Sequence, residues 1–588
     1  MTKIFPQLSS ATAWVQFIAR LKADQKGGVY MILGFAIIPL TFILGFGIDY
    51  ARAMSLQTKL NAAADAAALA AVAPSMILQS NSQSKTAATS MFNAQASLET
   101  GYKDLLVTPV VTEGSSSSGG SGAFGYLRKA TVSYSAKSIN MFGGILGVDT
   151  LTVSGTSTAS AAQPPNVDFY LAMDNSPSML LPSTSDGITR IINATKDAAK
   201  LPNGCAFACH MQMPQADGEP IFIRDTAGRD ILLSTGYYAT GPKLNVWYRW
   251  DRTTKILYDS SNLSMHSTQE TGSGSSKTTT VVSYTVEDST SGPAKIKQTT
   301  KKTGGTNSTV TVDFDTGYWA DGYWLTHNYG KIYTNGPATI PLRKDEMVSA
   351  ATQLIPFATN QAAQYNVTYR AQMFSFDWTK PTKDTPVATL NTLKNVAEYG
   401  SFSAASIFPP DDYWWLNNKP TSGTDIGDKA TEFTNMLTKM KALIPTAGTG
   451  APGVEPQKIL FIISDGMLDQ PSSGRYFGPL RESDLAECTA IKAKGIKIAI
   501  LYTQYLPESL AGNNWSQNNV AKFLPPPPAP YTSTKAGTSD QVLTALQSCA
   551  SVGTNGAPLV QTVTANDNIT TALQQLFSTA LQTARLVQ

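Results

Sequence analysis

Three oxygen-bearing side chains stand two residues apart in "LAMDNSPSML": Asp174, Ser176 and Ser178, directly after the apolar run from Asp168 to Met173. Alternate residues of an extended chain point the same way, so a carboxylate and two hydroxyls at this spacing converge on one point. Two other loops offer the same chemistry: "SGTDIG" (422–427) carries Thr424 just before a predicted helix, and "SDG" (464–466) carries Asp465 just after the apolar strand "KILFII". Ligands of open α/β sheets collect beyond the carboxyl ends of the strands, so all three loops are expected on one rim. Asp174, Ser176, Ser178, Thr424 and Asp465 are oxygen donors, which suits a hard divalent cation, magnesium first and calcium or manganese next. With three neutral hydroxyls and few direct carboxylates, such an ion keeps positive charge and an open position for an acidic side chain of a protein partner. Taken singly, these residues also suit turns and helix caps. Caps alone do not explain why three loops agree.

The elements that must position these loops form an alternating pattern from Val167 onward. Apolar strands are expected at "VDFYLAM", "VTYRAQMFSF" (367–376), "KILFIIS" (458–464), "IKIAILY" (496–502) and "PLVQTVT" (558–564), with helices near 342–363, 389–399, 425–443, 481–494 and 566–586. Near-continuous apolar strands spaced by helices predict a doubly wound, mostly parallel α/β sheet covered on both faces. Residues 205–340 interrupt it. "LNVWYRWDRTTKILYDSS", "TTTVVSYTVEDS" and "STVTVDFD" alternate polar with apolar or aromatic residues between turn clusters, which predicts an inserted antiparallel β-rich module. The α/β domain is thus expected over 166–204 and 341–588. Aromatic groups "VWYRW" (246–250) and "GYWADGYW" (317–324) offer a sugar-binding surface as a second reading, but at alternate strand positions they suit a hairpin core better.

Upstream, Gly27 to Ile48 carries no charge, and about 22 residues at 1.5 Å each cover the roughly 30 Å hydrocarbon layer. The run is longer than a signal-peptide core and "DYARAM" follows it without a cleavage site, so a single spanning helix is expected at 27–48. Lys3, Arg20, Lys22 and Lys26 precede it and only Arg52 and Lys59 follow nearby. This places residues 1–26 in the cytoplasm and the bulk of the chain in the periplasm, anchored in the inner membrane. "SLQTKLNAAADAAALAAVA" continues the helix, and short strands "DLLVTPVVT", "ATVSYSA" and "LTVSGTSTAS" complete a small α+β region over 49–162, bounded by "QPPN".

Composition narrows the function. Among 588 residues, 45 basic and 42 acidic side chains leave a net charge of +3, too little to drive binding to nucleic acid. Four cysteines, Cys205, Cys209, Cys488 and Cys549, fall in two groups and suit two bridges in an oxidising compartment. Cys205, Cys209 and His210 are one residue too widely spaced for a haem-attachment motif, so a local disulfide is expected there. Cys488, expected to open a helix, and Cys549, expected to end one, are placed to tie down the proline-rich "LPPPPAP" excursion. No histidine accompanies a serine in a hydrolase-like setting and no glycine-rich phosphate loop is present, so the chain is not expected to be an enzyme.

The pattern D-x-S-x-S, a threonine in a Gly-Thr-Asp loop and a later Asp-Gly resembles the metal-ion-dependent adhesion site (MIDAS) of von Willebrand factor type A (VWA) domains. That resemblance implies a VWA fold, Rossmann-like, with Asp174, Ser176, Ser178, Thr424 and Asp465 as the ligand set. The span followed by "GIDYARAMSLQTKLNAAADAAALAAVA", together with "GCAFACH", "CTAIKAKGIKIAILYT" and "SCAS", is similar to TadG-like proteins of the tight-adherence (Tad/Flp) pilus-assembly family. This second resemblance implies a membrane-anchored, periplasmic VWA protein that binds pilus or envelope components. A glycan-binding surface adhesin and a scaffold with a vestigial metal site are the alternative roles.

Overall fold

The computed structural model describes residues 15–16, 19–20, 22, 27–73, 76, 79–115, 126–196, 202–206, 222–234, 246–287, 294–378, 386–411, 431–450, 453–471, 475–505, 514–529 and 531–585. The protein has a mixed α/β structure with several sheets. It divides into two compact units, Met1–Ser117 with Tyr126–Gln163, and Ser118–Gly125 with Pro164–Gln588.

The first unit is built on α1 (Gly27–Ala71), one unbroken helix of 45 residues. Its first half turns Tyr30, Ile32, Phe35, Ile43 and Leu44 outward and is long and apolar enough to cross a membrane. Such an N-terminal helix suggests a membrane anchor or a signal sequence. The second half buries Leu56, Leu60, Ala64, Ala67 and Ala71, a stripe of helical period. It packs with α2 (Asn81–Ala96) on one face of an antiparallel sheet of β1 (Tyr102–Ser115), β2 (Tyr126–Ile139) and β3 (Thr150–Gln163), in that order. The alanines matter here because small side chains let the helix lie close to the sheet, over Val132, Tyr134 and Val153.

The second unit opens with β4 (Val167–Asp174) and α3 (Ser185–Thr195), and then passes through β5 (Asp230–Leu233), β6 (Trp247–Asp251), β7 (Ile256–Tyr258), β8 (Ser267–Thr271), β9 (Thr278–Glu287), β10 (Ala294–Thr303) and β11 (Ser308–Trp319). After α4 (Gly322–Ile332) come α5 (Arg343–Tyr365), β12 (Tyr369–Phe376), β13 (Val387–Thr389), β14 (Lys394–Asn395), α6 (Phe433–Leu443) and β15 (Gln457–Ser464). The chain ends with β16 (Leu468–Pro471), β17 (Arg475–Gly478), α7 (Glu482–Ala493), β18 (Lys497–Thr503), α8 (Gln541–Cys549), β19 (Val560–Val563) and α9 (Ile569–Arg585).

The central sheet has the order β13-β12-β4-β15-β18-β19, with β14 also on β12. Neighbours from β12 through β19 are parallel, and β13 and β14 run antiparallel at the edge. Alternation along β4 explains its continuous apolar sequence. Phe169, Leu171 and Met173 face one core with Met347 and Leu354 of α5 and Leu573 and Phe577 of α9. Tyr170 and Ala172 face a second with Phe433 and Leu437 of α6, Ile491 of α7 and Leu546 of α8. Both faces are buried, so the positions from Phe169 to Met173 are apolar or aromatic, and the charged Asp168 and Asp174 lie at the two ends.

The β-rich segment forms its own antiparallel sheet, order β7-β6-β5-β11-β10-β9-β8. The described tryptophans and tyrosines of the two aromatic groups, Trp247, Tyr248, Trp250, Trp319, Tyr323 and Trp324, are buried in two clusters. They build a core. Residues 322–332, inside the span expected to be β-rich, are the helix α4.

Three expectations are corrected. No helix forms at 389–399, where β13, β14 and a 3₁₀ turn at Val396–Glu398 line the edge of β12. The Asn391 side chain accepts from Met373 N–H (2.7 Å) and donates to Tyr399 Oη (2.7 Å), so tertiary pairing overrides the local period. The helix that ends at Leu443 begins at Phe433, since Thr431 is drawn into a bridge with Asp469, and residues 425–430 of the expected span lie outside the described residues. Cys488 lies in the middle of α7 rather than at its start.

His266 joins two strands of the β-rich sheet, β7 and β9. Its Nε2 accepts from Leu257 N–H (3.3 Å) and Tyr284 N–H (3.2 Å), which requires the neutral ring. Burial holds its pKa below the ordinary 6.5. A depressed value means stability that is present above 6.5 and lost as pH falls through the folded value. Amide exchange at Leu257 and Tyr284, corrected for intrinsic rate, should therefore accelerate as pH drops from 7 to 5, and His266→Gln should flatten that dependence.

Candidate functional site

Register brings the first and third chemical loops together. Ile463 of β15 pairs with Met173 of β4 in parallel, so the two strands end side by side and place Ser464 next to Asp174. Both strands stop there because the chain turns sharply. At Gly466 φ is +71°, and a Cβ would sit 2.7 Å from Leu546 Cδ1, so only glycine fits the turn against α8. On the β4 side, Ser176 is extended and Pro177 starts a 3₁₀ turn, Pro177–Leu180.

The resulting centre is buried and oxygen-rich. Asp174 Oδ1 accepts from Ser176 N–H (2.8 Å) and Asp174 Oδ2 from Ser464 Oγ (2.6 Å). Ser464 Oγ in turn accepts from Gly466 N–H (2.9 Å). The Ser176 and Ser178 hydroxyls meet at 2.9 Å, which supports the expected convergence of alternate positions. Asp465 Oδ1 accepts from Met467 N–H (3.1 Å). The Ser178 and Tyr505 hydroxyls face the Asp465 carboxyl, yet the fully buried Oδ2 has no well-formed hydrogen bond.

Electrostatics mark the same place. Burial, reinforced by the charge of Asp465, pushes Asp174 up to about 8. Burial also raises Asp465, against the pull of Ser178, Met467 N–H, Arg343 and Tyr505. Two buried carboxylates that disfavour each other's charge are expensive unless a cation compensates them. Among the described residues no group of three or more His, Cys, Asp and Glu side chains comes together, so an ion held here would draw on hydroxyl oxygens as well as these two carboxylates. That donor set fits a small hard cation and not zinc.

The structure thus assembles Asp174, Ser176, Ser178 and Asp465. Thr424 lies outside the described residues, as do Cys209 and His210. Cys205 is in a disulfide, and Cys488 is bridged to Cys549. Ser464 and Tyr505 escaped the sequence reading. The signal for Ser464 was its place as the last residue of β15, opposite Asp174. Nothing local marks Tyr505, which arrives from the loop after β18.

Residues 27–73 match a family model described as putative Flp pilus-assembly TadE/G-like. The match covers α1 and suggests a pilus-related role. No curated protein matches the chain. Among solved structures, the pilus adhesin SpaC from Lactobacillus rhamnosus GG aligns at 10% identity and a TM-score of 0.24, over 64% of this chain and 42% of its own. The chain therefore spans less than half of that protein, and at that score the likeness carries nothing about fold or function.

Proposed function

We propose that the α/β part of the second unit is a doubly wound VWA domain, and that Asp174, Ser176, Ser178, Thr424 and Asp465 form a MIDAS that holds a divalent cation, magnesium first. The chain is then a membrane-anchored protein of Tad/Flp pilus assembly. It crosses the inner membrane once at 27–48, with its N-terminus in the cytoplasm and its bulk in the periplasm. The observation that carries the reading is the pair of buried carboxylates at the ends of β4 and β15, one with an orphaned oxygen, beside two hydroxyls in mutual contact. Support also comes from the strand order, with parallel neighbours and helices on both faces, and from the pilus-assembly match over α1.

In this reading the cation supplies an electropositive open position, and the chain's own groups orient it. Ser464 and the Ser176 N–H fix the Asp174 carboxylate, while Met467 N–H fixes that of Asp465. A partner's Asp or Glu completes the coordination, and no catalytic step is assigned. The full chain in nanodiscs, mixed with detergent-solubilised envelope from its own cells, should capture an envelope or pilus protein in magnesium. Capture should fall roughly tenfold or more with chelator or in Ser176→Ala/Ser178→Ala, and recover on re-addition of magnesium to the wild type only. Capture indifferent to both would make the domain a scaffold.

A further inference from the structure

We propose that the loop from Ile139 to Val148 is a second membrane contact, dipping into the lipid interface beside the C-terminal end of the apolar half of α1. This goes beyond the adhesion-site reading and rests only on α1 being the anchor. The loop, "INMFGGILGV", has no charge between Lys137 and Asp149. It points large apolar side chains outward: Met141 is 66% exposed, Ile145 72% and Leu146 58%.

This exposure is held in place by the fold. Asp49, which ends the uncharged run of α1, accepts from Met141 N–H (2.8 Å), Phe142 N–H (2.9 Å) and Gly143 N–H (2.8 Å). Asn140 Nδ2 donates to Val148 O (2.8 Å) and Val148 N–H to Gly143 O (3.0 Å), closing the loop on itself. Phe142 lies directly on the helix, since a Cβ on Gly45 would be 2.6 Å from its ring. Every backbone clamp therefore serves to aim apolar groups away from the protein.

What covers them follows from where they are. The loop is fastened to α1 at Gly45 and Asp49, level with Ile43, Leu44, Phe46 and Ile48, which are themselves exposed and apolar. The apolar surface of the helix and that of the loop are continuous, so a bilayer that covers the first covers the second. An apolar element lying at a membrane surface sinks roughly 5–10 Å to the boundary of headgroups and acyl chains. A helix crossing alone can slide, tilt and rotate. A helix with a side loop fixed by Asp49 has its depth and rotation set, and with them the orientation of the three-stranded sheet that α1 carries.

The test uses the full chain in phosphatidylcholine nanodiscs doped with a diazirine-acyl lipid, with carbene adducts mapped by mass spectrometry after photolysis. Adducts should appear on 27–48 and on 139–148, and about tenfold less on the outer sheet strand 152–160. Ile145→Asp with Leu146→Asp should remove the loop adducts and leave those on 27–48. If 27–48 is labelled while wild-type 139–148 stays at the level of 152–160, the loop is not in the bilayer and the inference is overturned. If 27–48 is itself unlabelled, the anchor reading fails and takes the loop with it.

Discussion

Titrated with magnesium, the wild-type chain should give a saturable calorimetric isotherm and the Asp174→Ala chain none. The physical reason is that Asp174 is fully buried beside Asp465, and its removal takes away both a proposed ligand and half of the negative charge that a bound cation would neutralise. Groups that only orient a ligand usually matter by about 10- to 100-fold in affinity, so Ser464→Ala should weaken binding by about that much and Asp174→Ala by more. Stability gives an independent readout. A cation at about 100 times its dissociation constant stabilises the folded state by about 2.7 kcal/mol, visible as a rise in the thermal midpoint. Asp465→Asn should do the opposite of what a damaged site normally does: in chelator it should raise the midpoint, because a carboxylate that burial disfavours is gone, while losing the response to magnesium. A magnesium isotherm unchanged in Asp174→Ala would end the metal reading.

Much of the frame was legible because it depends on short-range order. The parallel strands β4, β12, β15 and β18 announced themselves as mostly apolar runs, since a sheet buried on both faces leaves few polar positions to blur the pattern. The meeting of Ser176 and Ser178 was expected from the two-residue period of extended chain, but that period ends at Ser176 and it is the 3₁₀ turn Pro177–Leu180 that carries Ser178, while the nearness of Asp174 to "SDG" followed from the rim rule for α/β sheets. What could not be read depends on partners far away in sequence. "LNTLKNVAEYG" has a helical period, yet Asn391 and Leu390 bond to Met373 on β12 and hold the segment in edge strands. Tyr505 reaches Asp465 through the order in which β15 and β18 lie side by side. The loop at 139–148 looks like an ordinary turn between strands until Asp49, 90 or more residues earlier, is seen to hold it.

At the opposite end of β4, Asp168→Ala should cost about 3–5 kcal/mol and leave magnesium binding untouched. Parallel register sets Asp168 between Arg370 of β12 and Lys458 of β15. Arg370 grips the carboxylate with Nε at 2.6 Å and Nη2 at 2.7 Å, and Lys458 Nζ lies 2.5 Å from Oδ2. Asp168 and Lys458 are almost wholly shielded from water, so deleting the carboxylate strands a buried ammonium whose remaining ion pair, among the described residues, is with the exposed Glu455. Deleting both buried charges is milder, because the ion that remains, Arg370, is 38% exposed and can be hydrated. Asp168→Ala/Lys458→Met should therefore recover most of the loss, in urea titrations of the full chain followed by tryptophan emission. Six residues at about 3.3 Å each place this network about 20 Å from Asp174, so the isotherm of Asp168→Ala in magnesium should overlay the wild type. An Asp168→Ala chain as stable as the wild type would mean that Lys458 finds water or another anion, and that the three strands are held in register by their apolar faces alone.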